Sequence, residues 1–109
     1  MMPDPIVFAG ITPHPPLLVP EVGGERISAV SNSRVALRDF ARRAIGANPD
    51  TIVLVSPHSP LDPRRFLARS TPRLHGDFAE FRAPGVKLSF ENDLALLGAI
   101  GEAAADKGL

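Results

Sequence analysis

Two apolar runs separated by one amphipathic segment constrain the fold of this chain more than any other feature. Residues 6–11 read Ile-Val-Phe-Ala-Gly-Ile, and residues 51–55 read Thr-Ile-Val-Leu-Val. Both runs are rich in β-branched and other apolar residues, which favours strands. Between them, apolar side chains recur at steps of three and four residues, which predicts a helix over residues 25–45. We therefore expect an α/β fold built on a right-handed βαβ unit, with a mostly parallel sheet and flanking helices.

A Pro-His pair follows each predicted strand. Residues 13–16 read Pro-His-Pro-Pro, and residues 57–60 read Pro-His-Ser-Pro. Parallel strands have their carboxyl ends at one edge of the sheet, where open α/β sheets bind ligands. Because imidazole binds transition metals well, His14 and His58 are candidate ligands of one shared metal ion.

The second half of the chain has weaker patterns. A short strand is predicted at residues 65–68, between prolines, and alternation predicts a strand over residues 86–90. Asn92 or Asp93 is expected to cap a last helix, which Gly108 closes. The buried stripe of that helix is predicted to consist of Leu94, Leu97, Ile100 and Ala104.

Composition indicates a soluble globular protein. The 109 residues are 44% hydrophobic and 22% charged, and 12 basic side chains balance 12 acidic ones. This balance gives no electrostatic case for binding nucleic acid or an anionic membrane. No stretch approaches the roughly 20 apolar residues that span a bilayer, and no signal peptide is recognisable, so we expect a cytoplasmic protein.

The chain has no cysteine, so His, Asp and Glu are its only strong metal ligands. We expect a single partial domain over residues 1–109. The last helix would normally lead into another parallel strand, and a parallel sheet needs both faces covered. We therefore expect a truncated, N-terminal portion of a larger α/β domain, or a chain that completes its sheet with a partner.

Three separated motifs carry a family resemblance. They are residues 12–23 (Thr-Pro-His-Pro-Pro-Leu-Leu-Val-Pro-Glu-Val-Gly), residues 48–60 (Asn-Pro-Asp-Thr-Ile-Val-Leu-Val-Ser-Pro-His-Ser-Pro) and residues 75–81 (His-Gly-Asp-Phe-Ala-Glu-Phe). In this order they resemble the B-subunit-like (LigB-type) domain of class III extradiol ring-cleavage dioxygenases. The similarity is closest to the branch associated with AMMECR1-type domains, and it covers the N-terminal portion of that domain.

The resemblance implies an oxidoreductase of aromatic compound catabolism. In that family, two histidines and a glutamate hold a non-haem Fe(II), and O₂ opens catechol-type substrates beside their hydroxyls. Carried over, His14 and His58 correspond to the two histidine ligands, although a histidine pair also accepts Zn or Mn. The family's glutamate ligand and acid-base histidine lie later in the fold. The fragment alone is therefore expected to be inactive, with a second chain or an AMMECR1-type domain completing it.

Other readings of the same residues stay open. Glu21 and Asp62 are the carboxylates on the loops next to the two histidines, and we interpret them as a helix-entry charge and a turn residue rather than a third ligand. His75 is interpreted as a solvated or capping residue, and Phe78 and Phe81 as core. The alternative function is a non-catalytic, Memo-like module that binds a metal or a protein. The substrate and the catalytic residues are not assigned by the sequence.

Overall fold

The computed structural model describes residues 5–58 and 60–109. By contacts the chain divides into two compact units, Met1–Ile52 with Asp77–Val86 and Val53–Gly76 with Lys87–Leu109, called here the first and second units. Strands β1 (Arg73–Phe78) and β2 (Ala83–Glu91) form a two-stranded antiparallel sheet. The helices are α1 (Pro20–Gly23), α2 (Ser31–Gly46) and α3 (Leu94–Asp106), with 3₁₀ segments at Pro16–Leu18, Gly24–Val30 and Ala79–Phe81.

Helix α2 confirms the main part of the predicted helix. The predicted first turns, over residues 25–30, are instead 3₁₀. The helix ends at Gly46, where the Ala47 N–H donates to the Arg43 carbonyl. The left-handed residue of this end is Asn48, with φ of 54°. Asparagine accepts this conformation because its short polar side chain can bond locally.

The first unit is packed around a small set of apolar contacts. Among the described residues, the buried apolar side chains are Leu18, at 9% exposed, and Ala83, at 6%. The ring of Phe8 packs against that of Phe40 on α2. Gly23 is buried where a β-carbon would lie 2.5 Å from the Leu17 carbonyl oxygen, so only glycine fits there. The Phe8–Phe40 contact joins the N-terminal segment to α2, and the Gly23–Leu17 contact joins α1 to the 3₁₀ turn that precedes it.

The prediction of strands at residues 6–11 and 51–55 is wrong for this structure. Neither segment is assigned to a strand, and the sheet that does form is antiparallel, so the predicted βαβ unit and mostly parallel sheet are not shown. The physical reason is that a strand requires a ladder of hydrogen bonds to a neighbouring backbone, and within the described residues neither segment belongs to such a ladder. The expectations of a truncated domain and of a single domain over residues 1–109 stay predictions.

The β1–β2 hairpin was predicted only in part. Strand β2 contains the predicted strand at residues 86–90, whereas β1 was missed because polar residues and Gly76 interrupt its alternation. Arg82, with φ of 63°, completes the turn between the strands. The strand predicted at residues 65–68 was also wrong, because the chain there forms an isolated bridge between Asp62 and Arg65.

Helix α3 confirms the predicted last helix and its cap. The Asp93 carboxylate accepts a hydrogen bond from the Leu96 N–H at 2.9 Å, and Gly108 has φ of 76°. Its predicted buried stripe was wrong, since no residue of α3 is buried and Leu94 and Ile100 are exposed. None of the described helices combines the length and the apolar character needed to cross a bilayer.

The Phe78 and Phe81 rings lie in contact in the first unit, with their centroids 6.2 Å apart. Phe78 is half-buried, while Phe81 is exposed. The prediction that this pair forms core therefore holds for their mutual contact but not for their burial.

Candidate metal centre

His14 is exposed and lies on a loop of the first unit. Local hydrogen bonds stabilise this loop on both sides of His14. The Thr12 Oγ1 donates to the Pro13 carbonyl at 3.1 Å. On the other side of His14, the Leu18 N–H donates to the Pro15 carbonyl at 3.0 Å and starts a 3₁₀ turn. Because Leu18 is buried and the prolines restrict the backbone, the loop is anchored on its C-terminal side while the imidazole stays accessible to solvent.

His58 lies in an exposed turn of the second unit, directly after the apolar run. Its backbone N–H donates to the Ser56 Oγ at 3.2 Å. A hydroxyl that accepts from the N–H two residues later closes a local turn without any help from secondary structure. The turn therefore presents His58 at the point where the apolar run ends.

The two loops share a feature that sequence reasoning missed. In each, a hydroxyl residue stands two positions before the histidine, Thr12 before His14 and Ser56 before His58. In each, that hydroxyl bonds to backbone within its own loop. The available signal was the repeated pattern of Thr or Ser, then Pro, then His. This pattern gives both histidines a locally stabilised loop.

The structure places the two predicted ligands in different units, His14 in the first and His58 in the second. That both bind one metal ion therefore stays a prediction. Over residues 5–58 and 60–109, no group of three or more His, Asp or Glu side chains is arranged to hold a metal ion. Imidazole nitrogens are suitable ligands for Fe(II). The described residues do not form a three-ligand site that includes either histidine.

The carboxylates considered as a third ligand have other roles. Asp62 accepts from the Arg64 N–H at 2.9 Å and from the Arg65 Nε at 3.0 Å, and its side chain is only 19% exposed. The interpretation of Asp62 as a turn residue is thus confirmed. Glu21 is exposed in the first turn of α1, where its charge suits the helix N-terminus. His75 is exposed on β1, in agreement with a solvated side chain.

Comparison with known proteins identifies the family. Residues 9–109 match the model of the catalytic LigB subunit of aromatic ring-opening dioxygenase, and the chain belongs to this family. The match includes both His14 and His58. The predicted LigB-type resemblance is therefore confirmed, whereas the link to the AMMECR1-associated branch stays a prediction.

The chain is similar to part of a much longer relative. Protein CA_C1420 of Clostridium acetobutylicum is 31% identical to this chain over 94 residues, which are 86% of this chain and 20% of that protein. The chain thus spans about a fifth of the length of this relative. No solved structure matches the chain.

Proposed function

We propose that this chain is a cytoplasmic part of an extradiol ring-cleavage dioxygenase of the LigB type, in which His14 and His58 are two of the ligands of a non-haem Fe(II). The observation that carries the proposal is the family match over residues 9–109, because it includes both Pro-His motifs. The accessible position of both imidazoles and the local hydrogen bonds of their loops support it.

The residues present fit part of the metal site. Two neutral imidazoles are suitable ligands for Fe(II), and they would accept Zn or Mn as well. Bound Fe(II) would supply open coordination positions for a catechol-type substrate and O₂. The contribution of this chain is to hold and orient the imidazoles, through the Thr12 bond in one loop and the Ser56 bond in the other.

The remaining parts of the site are proposed to come from outside this chain. The family's glutamate ligand and acid-base histidine follow later in its fold, and the chain spans about a fifth of its relative. We therefore propose that the isolated chain does not cleave aromatic rings. A second chain or an AMMECR1-type domain that completes the fold is the proposed partner, and a small catechol-type aromatic and O₂ are the proposed substrates.

Metal titration tests the ligand assignment. The purified chain is titrated anaerobically with Fe(II), and about one equivalent should bind. His14→Ala and His58→Ala should each weaken binding at least about tenfold, because each removes one imidazole ligand. His75→Ala is the matched control, since His75 is the third histidine of the chain and is also exposed. Equal binding by all three variants would refute the assignment.

Oxygen uptake separates ring cleavage from the alternative, a Memo-like binding module. The sample is this chain with its fold completed by the remaining LigB-type sequence and loaded with Fe(II). The substrates to test are protocatechuate and other catechols. Uptake of O₂ that depends on His14 and His58 is expected for a dioxygenase. Metal binding without uptake of O₂ would favour the non-catalytic module.

A further inference from the structure

A small cavity lies in the second unit, between Pro60 and residues 67–69. Its volume is about 220 Å³, and the described residues that line it are Pro60, Leu67, Ala68 and Arg69. All four are exposed, so the cavity opens to solvent. Because three of them are apolar and the fourth carries a guanidinium group, the cavity offers an apolar surface beside a positive charge.

Hydrogen bonds hold the backbone on the Arg69 side of the cavity. The Asn92 side-chain amide donates to the carbonyl of Arg69 at 2.8 Å and to that of Thr71 at 2.9 Å. The Asn92 N–H donates to the Pro72 carbonyl at 2.9 Å. Arg69 is thus tied to the residue that follows β2, and a site on a fixed backbone loses less entropy when a ligand binds.

The charge of Arg69 is not balanced by a neighbouring carboxylate. Asp62 is the only acidic residue of the stretch 60–76, and it forms an ion pair with Arg65 at 3.0 Å. Within the described residues, no carboxylate oxygen lies within 4 Å of the Arg69 guanidinium. The positive charge at the cavity is therefore available to an anionic ligand.

We infer that this cavity is a binding site for a small carboxylate with an apolar body, such as a single aromatic ring or a short branched chain. The Arg69 guanidinium would donate two parallel N–H bonds to the two carboxylate oxygens. The apolar body would lie against Pro60, Leu67 and Ala68. The volume limits the ligand to this size, because sites for drug-sized molecules measure roughly 300–1,000 Å³.

Inorganic phosphate fits the cavity less well. It has oxygens on every side, and the three apolar lining residues would remove water from some of them without replacing the lost hydrogen bonds by side-chain donors. Phosphate sites gather several donors around the anion, whereas one guanidinium lines this cavity among the described residues. The lining therefore favours a carboxylate over a phosphate.

The inference goes beyond the proposed function, because the site requires neither a metal nor a catechol. Pro60 follows His58 by two residues, so their Cα atoms lie at most about 8 Å apart. A ligand in the cavity would thus lie beside the loop that carries this proposed metal ligand.

An NMR titration of the metal-free 109-residue chain tests the site, with EDTA present and the ionic strength held constant. The paired probes are benzoate and benzamide, which share the ring and differ in charge. Benzoate should shift the amide signals of residues 67–69 and bind in the millimolar range, as expected for a ligand of its size. Benzamide should bind about tenfold more weakly, because it cannot form the charge-assisted bonds to Arg69. Inorganic phosphate, the third probe, should also bind more weakly than benzoate.

Two matched variants show whether Arg69 holds the carboxylate. Arg69→Met and Arg64→Met each remove one exposed guanidinium from the same stretch, and of these two residues Arg69 lines the cavity. Arg69→Met should weaken benzoate binding about tenfold and abolish the preference over benzamide, whereas Arg64→Met should change neither. Arg69→Lys keeps the charge without the planar pair of donors, so it should recover only part of the affinity. Spectra without ligand show whether each variant keeps its fold.

Several results would overturn the inference. Equal affinity of the unaltered chain for benzoate and benzamide would do so even if Arg69→Met failed to fold. Equal losses in Arg64→Met and Arg69→Met would assign the binding to the net charge of the stretch instead of the cavity. Phosphate binding as tight as that of benzoate would show that the apolar residues have no role. An absence of shifts at residues 67–69 would exclude the site. Failure of the Fe(II) assignment would leave all these results unchanged, since no metal is present.

Discussion

The ring of Phe8 meets the ring of Phe40 edge to face, with the two centroids 5.2 Å apart and an angle of 79° between the ring planes. Gly10 lies against the same Phe40 ring, so closely that a β-carbon there would overlap Cε2 and lie 2.8 Å from Cζ. An aromatic pair in this geometry contributes about 0.5–1.5 kcal/mol beyond its burial. The pair therefore ties α2 to the segment that leads into the loop of His14.

Gly10→Ala should destabilise the first unit, because the added methyl group enters space that the Phe40 ring occupies. Overpacking of this kind typically costs about 1–3 kcal/mol. The midpoint of urea denaturation, followed by circular dichroism, measures the effect. Gly98→Ala in the middle of α3 is the control, since nothing lies within 4 Å of its β-carbon position.

The control has its own expected direction. Alanine is the better helix former, so Gly98→Ala should stabilise the chain by about 0.5–1 kcal/mol. If Gly10→Ala shifted the midpoint in the same direction as Gly98→Ala, the packing of Phe40 on Gly10 would be disproved.

Removal of the Asp93 side chain should destabilise α3. Its carboxylate accepts from the Leu96 N–H at 2.9 Å, and loss of an N-cap costs about 0.5–2 kcal/mol. Asp93→Ala should therefore lower both the helical circular dichroism signal and the urea midpoint. Asp106→Ala removes an aspartate from the opposite end of the same helix, where its charge opposes the helix dipole. A loss of stability in Asp106→Ala as large as in Asp93→Ala would argue against the cap.

Local signals carried most of what could be predicted about the fold. Helices α2 and α3 followed from the spacing of apolar residues and from the cap at Asp93, because these features act within a few residues of each other. The runs at residues 6–11 and 51–55 have equally clear strand patterns, yet neither is a strand here. Strand formation depends on pairing with distant segments, and a local pattern cannot state whether a partner is present.

The candidate site divides in a similar way. The repeated Pro-His pattern located both loops, and the family match includes them. The hydroxyls of Thr12 and Ser56 were missed, because their bonds depend on turn geometry that residue type alone does not specify. Whether His14 and His58 act on one ion depends on the arrangement of distant segments, so sequence pattern could only propose it.

Asn92→Asp should destabilise the second unit. The Asn92 side-chain amide donates to the carbonyls of Arg69 and Thr71, at 2.8 and 2.9 Å. A carboxylate at that position replaces both donors with an acceptor that faces two carbonyl oxygens, and the lost bonds should cost about 1–3 kcal/mol. Urea denaturation measures the change.

Asn32→Asp is the control for the same chemical change, because Asn32 is exposed in the first turn of α2. A negative charge is favourable near a helix N-terminus, so this variant should be neutral or slightly stabilising. Equal destabilisation of the two variants would show that the added charge, rather than the loss of the Asn92 bonds, is responsible.

Ser56→Ala should weaken Fe(II) binding if the proposed metal site is correct. The Ser56 hydroxyl accepts the backbone N–H of His58 at 3.2 Å and so restricts the turn that presents this imidazole. Loss of a group that orients a ligand typically lowers metal affinity by about 10–100-fold, and we expect the lower end because the bond is exposed. Ser33→Ala, on the exposed first turn of α2, is the control, because it makes the same chemical change at a residue outside both Pro-His motifs. Anaerobic Fe(II) titration gives both affinities, and thermal melts of the metal-free variants show whether folding is affected.

Unchanged affinity in Ser56→Ala, together with a lower melting temperature, would assign the hydroxyl a purely structural role. Ser56→Thr keeps the acceptor, so it should restore most of the affinity if the hydrogen bond, and not the size of the side chain, positions His58.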